Sequence, residues 1–378
     1  MTHHREFRIN GKTCRIEPAS GRRALIIAEL GTGHGADRVK AAELIEAAAE
    51  AGADCVKFQL VYADEILHPN TGAVPLPGGN IPLYDRFKQL EAPPGFFADM
   101  KEQVEKKGLL FLCTPFGIRS ARELRALGPA AVKIASPELN YTALLREIAS
   151  YALPVLLSSG VSTLSDIEAA LGTLAGVPVC LLHCVTAYPA PPEEYNLQTL
   201  RTLSAVFGAP VGVSDHTLDA ELVPSLAAAL GAAAIEKHFC LSRNGAGLDD
   251  PIALDPSAFA DMTRAVRATE RLAAQQGAEA ALAEIRHERG AALTGAALGD
   301  GVKRLAPSEK ANYTRTNRSI HALRAIRKGE RITRSMIACL RTEKMLRPGL
   351  PPSWEDAVIG RVARADIPAG EGVRFEDV

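Results

Sequence analysis

Three ionisable side chains, those of Glu236, Lys237 and His238, directly follow the apolar run AAAI that begins at residue 232. Such a run predicts a buried strand, and an unpaired charge at its end would be costly to bury. Charged groups in this position therefore need partners, and groups with perturbed titration often have a chemical task. The ordinary alternative is a strand end that is simply exposed to solvent.

Other apolar runs of the chain end in the same way. Two lysines together with serine and threonine hydroxyls could bind a phosphate or a carboxylate. One polar strand end indicates little, but eight that point to one place indicate an enzyme. The polar residues at the C-terminal ends of the eight predicted strands are Glu29, Lys57, Gln59, Thr114, Lys133, Ser136, Ser158, Ser159, His183, Ser214, Asp215, His216, Glu236 and His238.

Histidines end two consecutive predicted strands. The imidazoles of His216 and His238 could reach one metal ion, with Glu236 or Asp215 orienting them. His183 ends the preceding strand and is expected to be structural. The lysines also permit a second mechanism, because a desolvated strand lysine could form a Schiff base, as in a metal-independent aldolase. A non-catalytic sugar-binding barrel would explain neither the lysines nor the histidine pair.

The elements that position these residues alternate regularly. Eight short apolar strands and eight amphipathic helices follow one another between about residue 23 and residue 275. This order predicts a parallel sheet covered by helices, and eight units in about 250 residues favour a closed (β/α)8 TIM barrel. No phosphate-binding G-x-G-x-x-G follows the first strand, which disfavours an open doubly wound sheet. Strand alternation places Lys57 and Gln59 on one face, and likewise Glu236 and His238.

The two ends of the chain lie outside this alternation. In residues 1–22, Asn10 and Gly11 stand between alternating residues and predict a β-hairpin. The barrel domain is expected to cover residues 23–290.

A linker is predicted at residues 291–316, because apolar periodicity is missing there. Residues 317–378 form a small C-terminal domain in which AIRKGERITRSMI and DIPAGEGVRFEDV make a weak internal repeat, with each Gly-Glu pair suited to a tight turn. A piece of this size has too little core to be comfortably stable alone, so we expect it to dock on a barrel.

Composition excludes several classes of partner. The net charge is −1, from 43 basic and 44 acidic residues, which gives no electrostatic reason for binding nucleic acid or an anionic membrane. Neither a signal sequence nor an apolar run of about 18 residues is present. Seven scattered cysteines indicate reduced thiols and a cytoplasmic protein, and the spacing of Cys180 and Cys184 is not C-x-x-C.

Seven motifs follow one another along the chain: IIAELGTGHGADRVKAAELIEAAAEAGADCVKFQ, FLCTPF, AVKIASPELN, LLSSG, LHCVTAYPAPPEEYNL, VGVSDHT and AIEKHF. From about residue 23 onwards the chain thereby resembles the sialic acid synthases, which condense phosphoenolpyruvate with an N-acyl hexosamine to give nine-carbon 2-keto acids. The resemblance implies a metal-dependent TIM barrel with a small, mostly β C-terminal antifreeze-like (SAF) domain. The metal would be manganese, with magnesium or cobalt as alternatives.

The resemblance also assigns residues, position by position. The metal-binding histidines fall on His216 and His238. The phosphoenolpyruvate-binding set falls on Lys57, Thr114, Lys133, Ser136, Ser158, Ser214 and Thr186, the last of which replaces an Asn usual in the family. The sugar contacts fall on Gln59, Tyr188 and Asp249. The carboxylates at the mouth, with the first as the preferred base, fall on Glu29, Glu138 and Glu236. Two further departures are GHGA in the first loop and Pro137 in place of a glycine.

A domain-swapped homodimer is a further implication of the resemblance. In it the C-terminal domain covers the partner's barrel and contributes Arg347 from an RPG stretch. The alternative is that the domain merely fixes a dimer. For the acceptor sugar the choices are N-acetylmannosamine, its 6-phosphate, or a 2,4-diacetamido-trideoxyhexose that would lead to legionaminate or pseudaminate. A synthase of seven- or eight-carbon phosphosugar acids is disfavoured by the appended domain.

Overall fold

The structure is a computed structural model that describes residues 6–9, 12–15, 23–76, 79–343 and 345–378. Strands β1 (Glu6–Ile9) and β2 (Lys12–Arg15) pair antiparallel, as the predicted hairpin requires. Its turn at Asn10 and Gly11 lies outside the described residues. Phe7 and Ile9 of this hairpin are buried against side chains from the barrel interior, so the hairpin closes the end of the barrel opposite the predicted site.

Eight parallel strands form the barrel, and all eight were predicted. They are β3 (Leu25–Gly31), β4 (Cys55–Leu60), β7 (Leu110–Pro115), β8 (Val132–Ile134), β9 (Val155–Ser158), β10 (Val179–Cys184), β11 (Val211–Asp215) and β12 (Ala234–His238). The hydrogen-bonded order is β7-β4-β3-β12-β11-β10-β9-β8, which leaves a seam between β7 and β8 in a nearly closed barrel. A short hairpin of β5 (Ala73–Leu76) and β6 (Gly79–Pro82) lies in the long connection after β4.

The helices that follow the barrel strands cover the outside of the barrel, and the last described helix, at 355–358, belongs to the C-terminal domain. The N-terminus of the first helix is capped by the Asp37 carboxylate, which accepts from the Val39 and Lys40 amides. The helices are α1 (Arg38–Glu50), α2 (Ala63–Ile66), α3 (Leu83–Gln89), α4 (Phe96–Lys106), α5 (Ile118–Ala126), α6 (Thr142–Ala149), α7 (Leu164–Thr173), α8 (Thr199–Phe207), α9 (Leu222–Ala229), α10 (Pro256–Gln276), α11 (Ala278–Arg289), α12 (Ala291–Leu298) and α13 (Glu355–Val358).

The strand faces alternate as predicted. Val56 and Phe58 pack in the apolar layer between strands and helices, so Lys57 between them points into the barrel. This alternation puts the polar side chains at the mouth and leaves the outer layer apolar.

The C-terminal domain contains β13 (Arg318–Ala322) and β14 (Ile337–Arg341), which pair antiparallel. Ile326 and Ile367, equivalent positions of the sequence repeat, form a bridge to each other and share a small apolar core. The glycines of the two repeats, Gly329 and Gly370, both have φ near +90°, a conformation that glycine adopts without steric cost.

This domain docks on the barrel of its own chain. The His68 ring lies 3.3 Å from the Leu323 carbonyl, and the Asn70 side chain donates to the Ala369 carbonyl over 2.9 Å. Within residues 291–316, where a linker was predicted, the structure contains helix α12 and the buried side chains of Lys303 and Glu309. The segment is therefore packed structure, not a loose connection. None of the described helices combines the length and apolarity that crossing a bilayer requires.

Candidate active site

The mouth of the barrel is organised by strand register. His238 of β12 stands opposite Glu29 of β3, and Glu29 stands opposite Lys57 of β4. On the other side of β12, Glu236 stands opposite Ser214 of β11. Neighbouring strands thus bring carboxylates and cationic or neutral donors side by side at the carboxyl end of the sheet.

A buried charge cluster results from this register. The Lys57 Nζ lies 2.9 Å from Glu29 Oε2 and 3.4 Å from Glu236 Oε1, and it donates to the Thr114 hydroxyl over 3.4 Å. The Lys133 Nζ, from β8, donates to Glu236 Oε1 over 3.2 Å. All five side chains are almost entirely buried, so their charges are balanced against each other and not by water.

The two lysines differ in their electrostatic surroundings. Burial alone would lower the pKa of Lys57, but Glu236 and Glu29 outweigh burial and raise it above its ordinary value. Burial does lower the pKa of Lys133, and Glu236 offsets this only in part. The pKa of Glu236 is about 2, because Lys133, Lys57 and the Ser214 hydroxyl together overcome the effect of burial, which would raise it.

Hydroxyl groups gather beside the lysines, around Gly160. A Cβ at Gly160 would lie 2.1 Å from the Thr186 hydroxyl and 2.9 Å from the Ser136 hydroxyl, so these two side chains converge where only glycine fits. The Gly160 amide donates to the Ser136 oxygen over 3.0 Å. The Ser158 hydroxyl is buried without a hydrogen-bond partner. A buried group of this kind calls for a ligand, and hydroxyls suit an anion.

Another group of polar residues surrounds Gly31 in the first loop. A Cβ there would lie 3.3 Å from Asp249 Oδ2, 3.4 Å from Gln59 Nε2 and 3.6 Å from Glu29 Oε1. Gln59 Nε2 donates to Glu29 over 2.6 Å. Gln59 and Asp249, two of the three residues assigned to the sugar, therefore lie together with the preferred base, and Gly31, with φ +55°, leaves the space between them open.

The two predicted metal ligands also meet. The rings of His216 and His238 are 5.5 Å apart, and the ring of Tyr188 lies 4.4 Å from that of His216. His216 Nδ1 lies 2.8 Å from the Val185 carbonyl, which fixes its tautomer and leaves Nε2 for a ligand. His238 Nδ1 lies 3.8 Å from Asp249. This pair fits a metal ion, although the described residues contain no cluster of three or more His, Cys, Asp or Glu side chains that could hold one.

The pKa values of the two histidines shift in opposite directions. Burial would lower the pKa of His216, but Cys184 and the Val185 carbonyl raise it to about 9. Burial lowers the pKa of His238 below its ordinary value. His183 is separate from this pair: its Nε2 lies 2.6 Å from the Tyr195 carbonyl in the buried wall, as expected of a structural histidine.

Asp215, one of the two carboxylates that could have oriented the histidines, has other partners. Its carboxylate binds Lys237 over 2.5 Å and the Thr217 hydroxyl over 3.1 Å, on the helix-facing side of the sheet. Lys237 also donates to the Thr217 and Asp219 carbonyls. The Asp215–Lys237 pair therefore stabilises the loop after β11, and Asp249 is the carboxylate nearest His238.

Glu138 has partners that the sequence did not reveal. Its Oε1 accepts from Arg318 Nε over 3.1 Å and from Arg341 Nη2 over 2.7 Å, both from the C-terminal domain. The carboxylate is fully buried, and its Oε2 has no hydrogen-bond partner. Glu138 thus anchors the docked domain and does not join the Lys57 cluster. Through Arg318 and Arg341 the C-terminal domain therefore contacts the carboxyl end of its own barrel.

Arg347 contacts neither Glu138 nor the other residues assigned to the site within the described part of the chain. Its guanidinium donates to Asp377 over 2.6 Å and to the Gly372 carbonyl over 2.9 Å, inside the C-terminal domain. The sequence-assigned arginine is therefore not brought together with the other site residues, whereas Arg318 and Arg341 were missed.

Comparison with known proteins identifies the barrel. Residues 44–278 match the NeuB family, and residues 317–378 match the SAF domain. The chain belongs to the NeuB family. The spore coat polysaccharide biosynthesis protein SpsE of Bacillus subtilis is 31% identical in its crystal structure, with a TM-score of 0.79 and 99% of each chain covered.

Other relatives of this NeuB-family chain are named for their products. The N,N'-diacetyllegionaminic acid synthase of Legionella pneumophila is 30% identical over 98% of this chain and 99% of its own length. The N-acetylneuraminic acid synthetase of Leptospira borgpetersenii, solved with citrate, is 29% identical, with a TM-score of 0.64 and coverage of 82% and 96%. The NeuB-family chain is accordingly an enzyme, a carbohydrate-biosynthetic synthase.

Proposed function

We propose that the protein is a nonulosonic acid synthase that condenses phosphoenolpyruvate with the open-chain form of an N-acylated hexosamine. The observation that carries the proposal is the buried cluster of Lys57, Lys133, Glu29 and Glu236 beside the His216–His238 pair. An anion site, a carboxylate base and two imidazoles next to each other supply what this condensation needs.

Phosphoenolpyruvate is expected to bind between Lys133 and the hydroxyls. Lys133 contacts one carboxylate, Glu236, whereas Lys57 is held by two, so Lys133 has more donor capacity for an incoming anion. The unpartnered Ser158 hydroxyl and the convergent Ser136 and Thr186 hydroxyls can donate to phosphate or carboxylate oxygens.

The sugar is expected on the opposite side of the mouth, against Gln59, Tyr188 and Asp249. A divalent cation held by His216 and His238, manganese in the first place, would supply Lewis-acid polarisation of the aldehyde oxygen. The half-exposed ring of Tyr188 stacks near His216 and offers a face to the sugar.

In the reaction, C3 of phosphoenolpyruvate attacks the aldehyde carbon, and positive character develops at C2. Glu29 is the base that we assign to the water that adds at C2, because Gln59 and Lys57 hold its two oxygens in place. The alkoxide formed from the aldehyde takes up the proton that the water lost. The C2–O bond to phosphate then breaks, the C2 hydroxyl loses its proton to the departing phosphate, and the 2-keto acid remains. Lys57 and Lys133 stay charged next to the departing dianion.

Phosphate release from phosphoenolpyruvate with each acceptor tests this function. N-acetylmannosamine is the first acceptor to try, and a 2,4-diacetamido-trideoxyhexose is the second, because the legionaminic acid synthase relative matches nearly the full chain. N-acetylmannosamine 6-phosphate and the pseudaminate precursor complete the series. If no N-acyl hexosamine releases phosphate in the presence of manganese, magnesium or cobalt, the proposal is wrong.

A Schiff-base aldolase is the second candidate, because Lys133 is a buried lysine on a barrel strand, the setting in which such a nucleophile is found. Borohydride in the presence of substrate would trap a covalent adduct on Lys133 or Lys57 in an aldolase and none in a synthase. Peptide mapping by mass spectrometry distinguishes the two.

A homodimer with exchanged C-terminal domains stays a prediction. Chains carrying Arg347→Ala and His238→Ala would be dissociated together and reassembled. Recovered activity in the hybrids supports exchange, because one site then holds both intact residues. If Arg347→Ala alone is inactive and hybrids recover nothing, Arg347 acts within its own chain or only structurally.

A further inference from the structure

We propose that Glu309 is a positioning residue that holds the anion-binding loops of the barrel in shape. The inference rests on the proposed function, since it concerns the loops assigned to phosphoenolpyruvate. Glu309 belongs to residues 299–317, here called the strap, which run between helix α12 and β13. The sequence predicted only a linker for all of the strap except residue 317.

The carboxylate of Glu309 is buried and directed at backbone amides. Its Oε1 accepts from the Val161 amide over 2.7 Å and from the Thr186 amide over 2.8 Å. Its Oε2 accepts from the Ala306 amide over 3.1 Å within the strap. Because Glu309 is 1% exposed, water cannot replace these bonds. One side chain therefore joins the loop after β9 to the loop after β10.

Both loops carry residues of the proposed anion site. Val161 follows Ser158 and Gly160 in the first loop, and Thr186 lies in the second. The Thr186 hydroxyl approaches Gly160 so closely that a Cβ there would lie 2.1 Å away. A shift of either amide by a fraction of an ångström would therefore change the spacing of these hydroxyls.

The backbone conformation of Val161 explains why this loop needs hydrogen bonds from outside the loop. Its φ is +42°, a left-handed conformation that is strained for a β-branched residue and persists only when the surroundings impose it. The strap imposes it from both sides of the residue. Glu309 binds the Val161 amide, and the Asn317 side chain donates to the Val161 carbonyl over 3.1 Å.

Lys303 adds a third tie from the strap. Its buried Nζ donates to the Ser159 carbonyl over 3.1 Å, next to the unpartnered Ser158 hydroxyl. A buried negative carboxylate beside an anion site would be unfavourable if it faced the ligand. Glu309 faces backbone amides and has the Lys303 charge nearby, so its role is to fix geometry and not to contact phosphoenolpyruvate.

The test compares Glu309→Gln and Glu309→Ala with Glu194→Gln in the full-length protein. Glu194 is the matched control, because it lies further along the loop after β10 and its carboxylate accepts from the Ser308 amide and hydroxyl of the strap, away from the Val161 and Thr186 amides. Phosphoenolpyruvate binding is measured by titration calorimetry, and KM for each substrate is measured by phosphate release.

We expect the Kd and KM for phosphoenolpyruvate to rise roughly ten- to a hundredfold in Glu309→Ala, because misplaced binding groups lose that much. Glu309→Gln keeps the acceptor for two amides and loses the bond to Ala306, so a rise of roughly two- to tenfold is expected. The KM for the sugar should stay unchanged in both, and Glu194→Gln should behave as the wild type.

If Glu309 only stabilised the fold, its variants would have a lower melting temperature and the wild-type Kd for phosphoenolpyruvate. That result would overturn the inference. If Glu309→Ala does not fold, Glu309→Gln decides on the same criterion. Failure of the wild-type protein to bind phosphoenolpyruvate would instead overturn the proposed function, and the inference with it.

Discussion

Removing the Glu138 carboxylate should loosen the C-terminal domain from the barrel. Glu138 lies just after β8, and its Oε1 accepts from Arg318 of β13 and Arg341 of β14. The Arg318 and Glu138 side chains are both completely buried. Glu138→Ala would leave two guanidiniums without their counter-charge at the interface between the domains.

The expected loss of stability depends on the hydrogen bonds that Arg318 keeps in the variant. Removing one partner of a buried ion pair costs about 3–5 kcal/mol, because the other charge stays buried. Arg318 keeps backbone carbonyl acceptors at Glu65 and Phe116, so we expect the lower end, about 3 kcal/mol, for Glu138→Ala. Glu138→Gln keeps an acceptor oxygen and loses the charge, so about 1.5 kcal/mol is expected, the value of a hydrogen bond to a charged group.

The assay uses the one tryptophan of the chain. Trp354 lies in the C-terminal domain and contacts Phe375, so its fluorescence reports on that domain, whereas far-UV circular dichroism reports mainly on the barrel helices. In a urea titration of Glu138→Ala, the fluorescence transition should move to lower urea and separate from the circular dichroism transition. Glu330→Gln, which breaks a partly exposed ion pair with Arg324 in the same domain, should change the midpoint little.

Coincident transitions at the wild-type midpoint in Glu138→Ala would refute this reasoning. They would mean that the buried arginines find other partners and that the ion pairs do not hold the domains together.

Three further predictions follow from the site and its surroundings. His216→Ala or His238→Ala should abolish turnover and tight manganese binding, measured by titration calorimetry, without changing the far-UV circular dichroism spectrum; wild-type activity of either variant after chelation would contradict the metal site. Lys133→Met should raise the KM for phosphoenolpyruvate by roughly tenfold or more, as loss of a charge-assisted hydrogen bond does, while the KM for the sugar is unchanged; equal effects on both substrates would count against the assignment. Burial lowers the pKa of His321 in the folded protein to about 4, whereas its pKa in the unfolded chain is about 6.5. The neutral form of His321 therefore stabilises the folded C-terminal domain fully above pH 6.5. This contribution to stability is lost as the pH falls from 6.5 toward 4. The Trp354 urea midpoint should fall over that pH range and fall less in His321→Gln; the same fall in both proteins would exclude His321 as the cause.

The barrel could be predicted because each strand carries its own signal. Short apolar runs alternating with amphipathic helices mark the strands locally, and the parity that puts Lys57 inward also puts Val56 and Phe58 against the helices. The site followed from the same rule, since parallel strands bring their carboxyl ends together. The same alternation of strand faces could have shown that Asp215 does not point toward the histidines. Asp215 pairs in register with Lys237 on the helix-facing side of the sheet.

The contacts of the last eighty residues could not be predicted in this way. Arg318 lies 180 positions after Glu138 in the sequence, and no periodicity connects them. The sequence of the strap lacks the apolar periodicity of a helix or a strand. It therefore gives no indication that Lys303 and Glu309 are buried. Each of these charged side chains is buried because it binds a specific polar group that is distant in the sequence. Such partners come together only in the folded structure.

The position of Arg318 after all eight barrel strands has a consequence for biosynthesis. Domains generally fold as they leave the ribosome, N-terminal parts first. All eight barrel strands emerge before Arg318 does, so a nascent barrel would present Glu138 and the carbonyls of Glu65 and Phe116 without their arginine. We expect ribosome-bound chains that end before residue 317 to be compact and yet sensitive to protease at these loops. The contacts between Glu138 and the C-terminal domain would then form only after β13 and β14 have emerged.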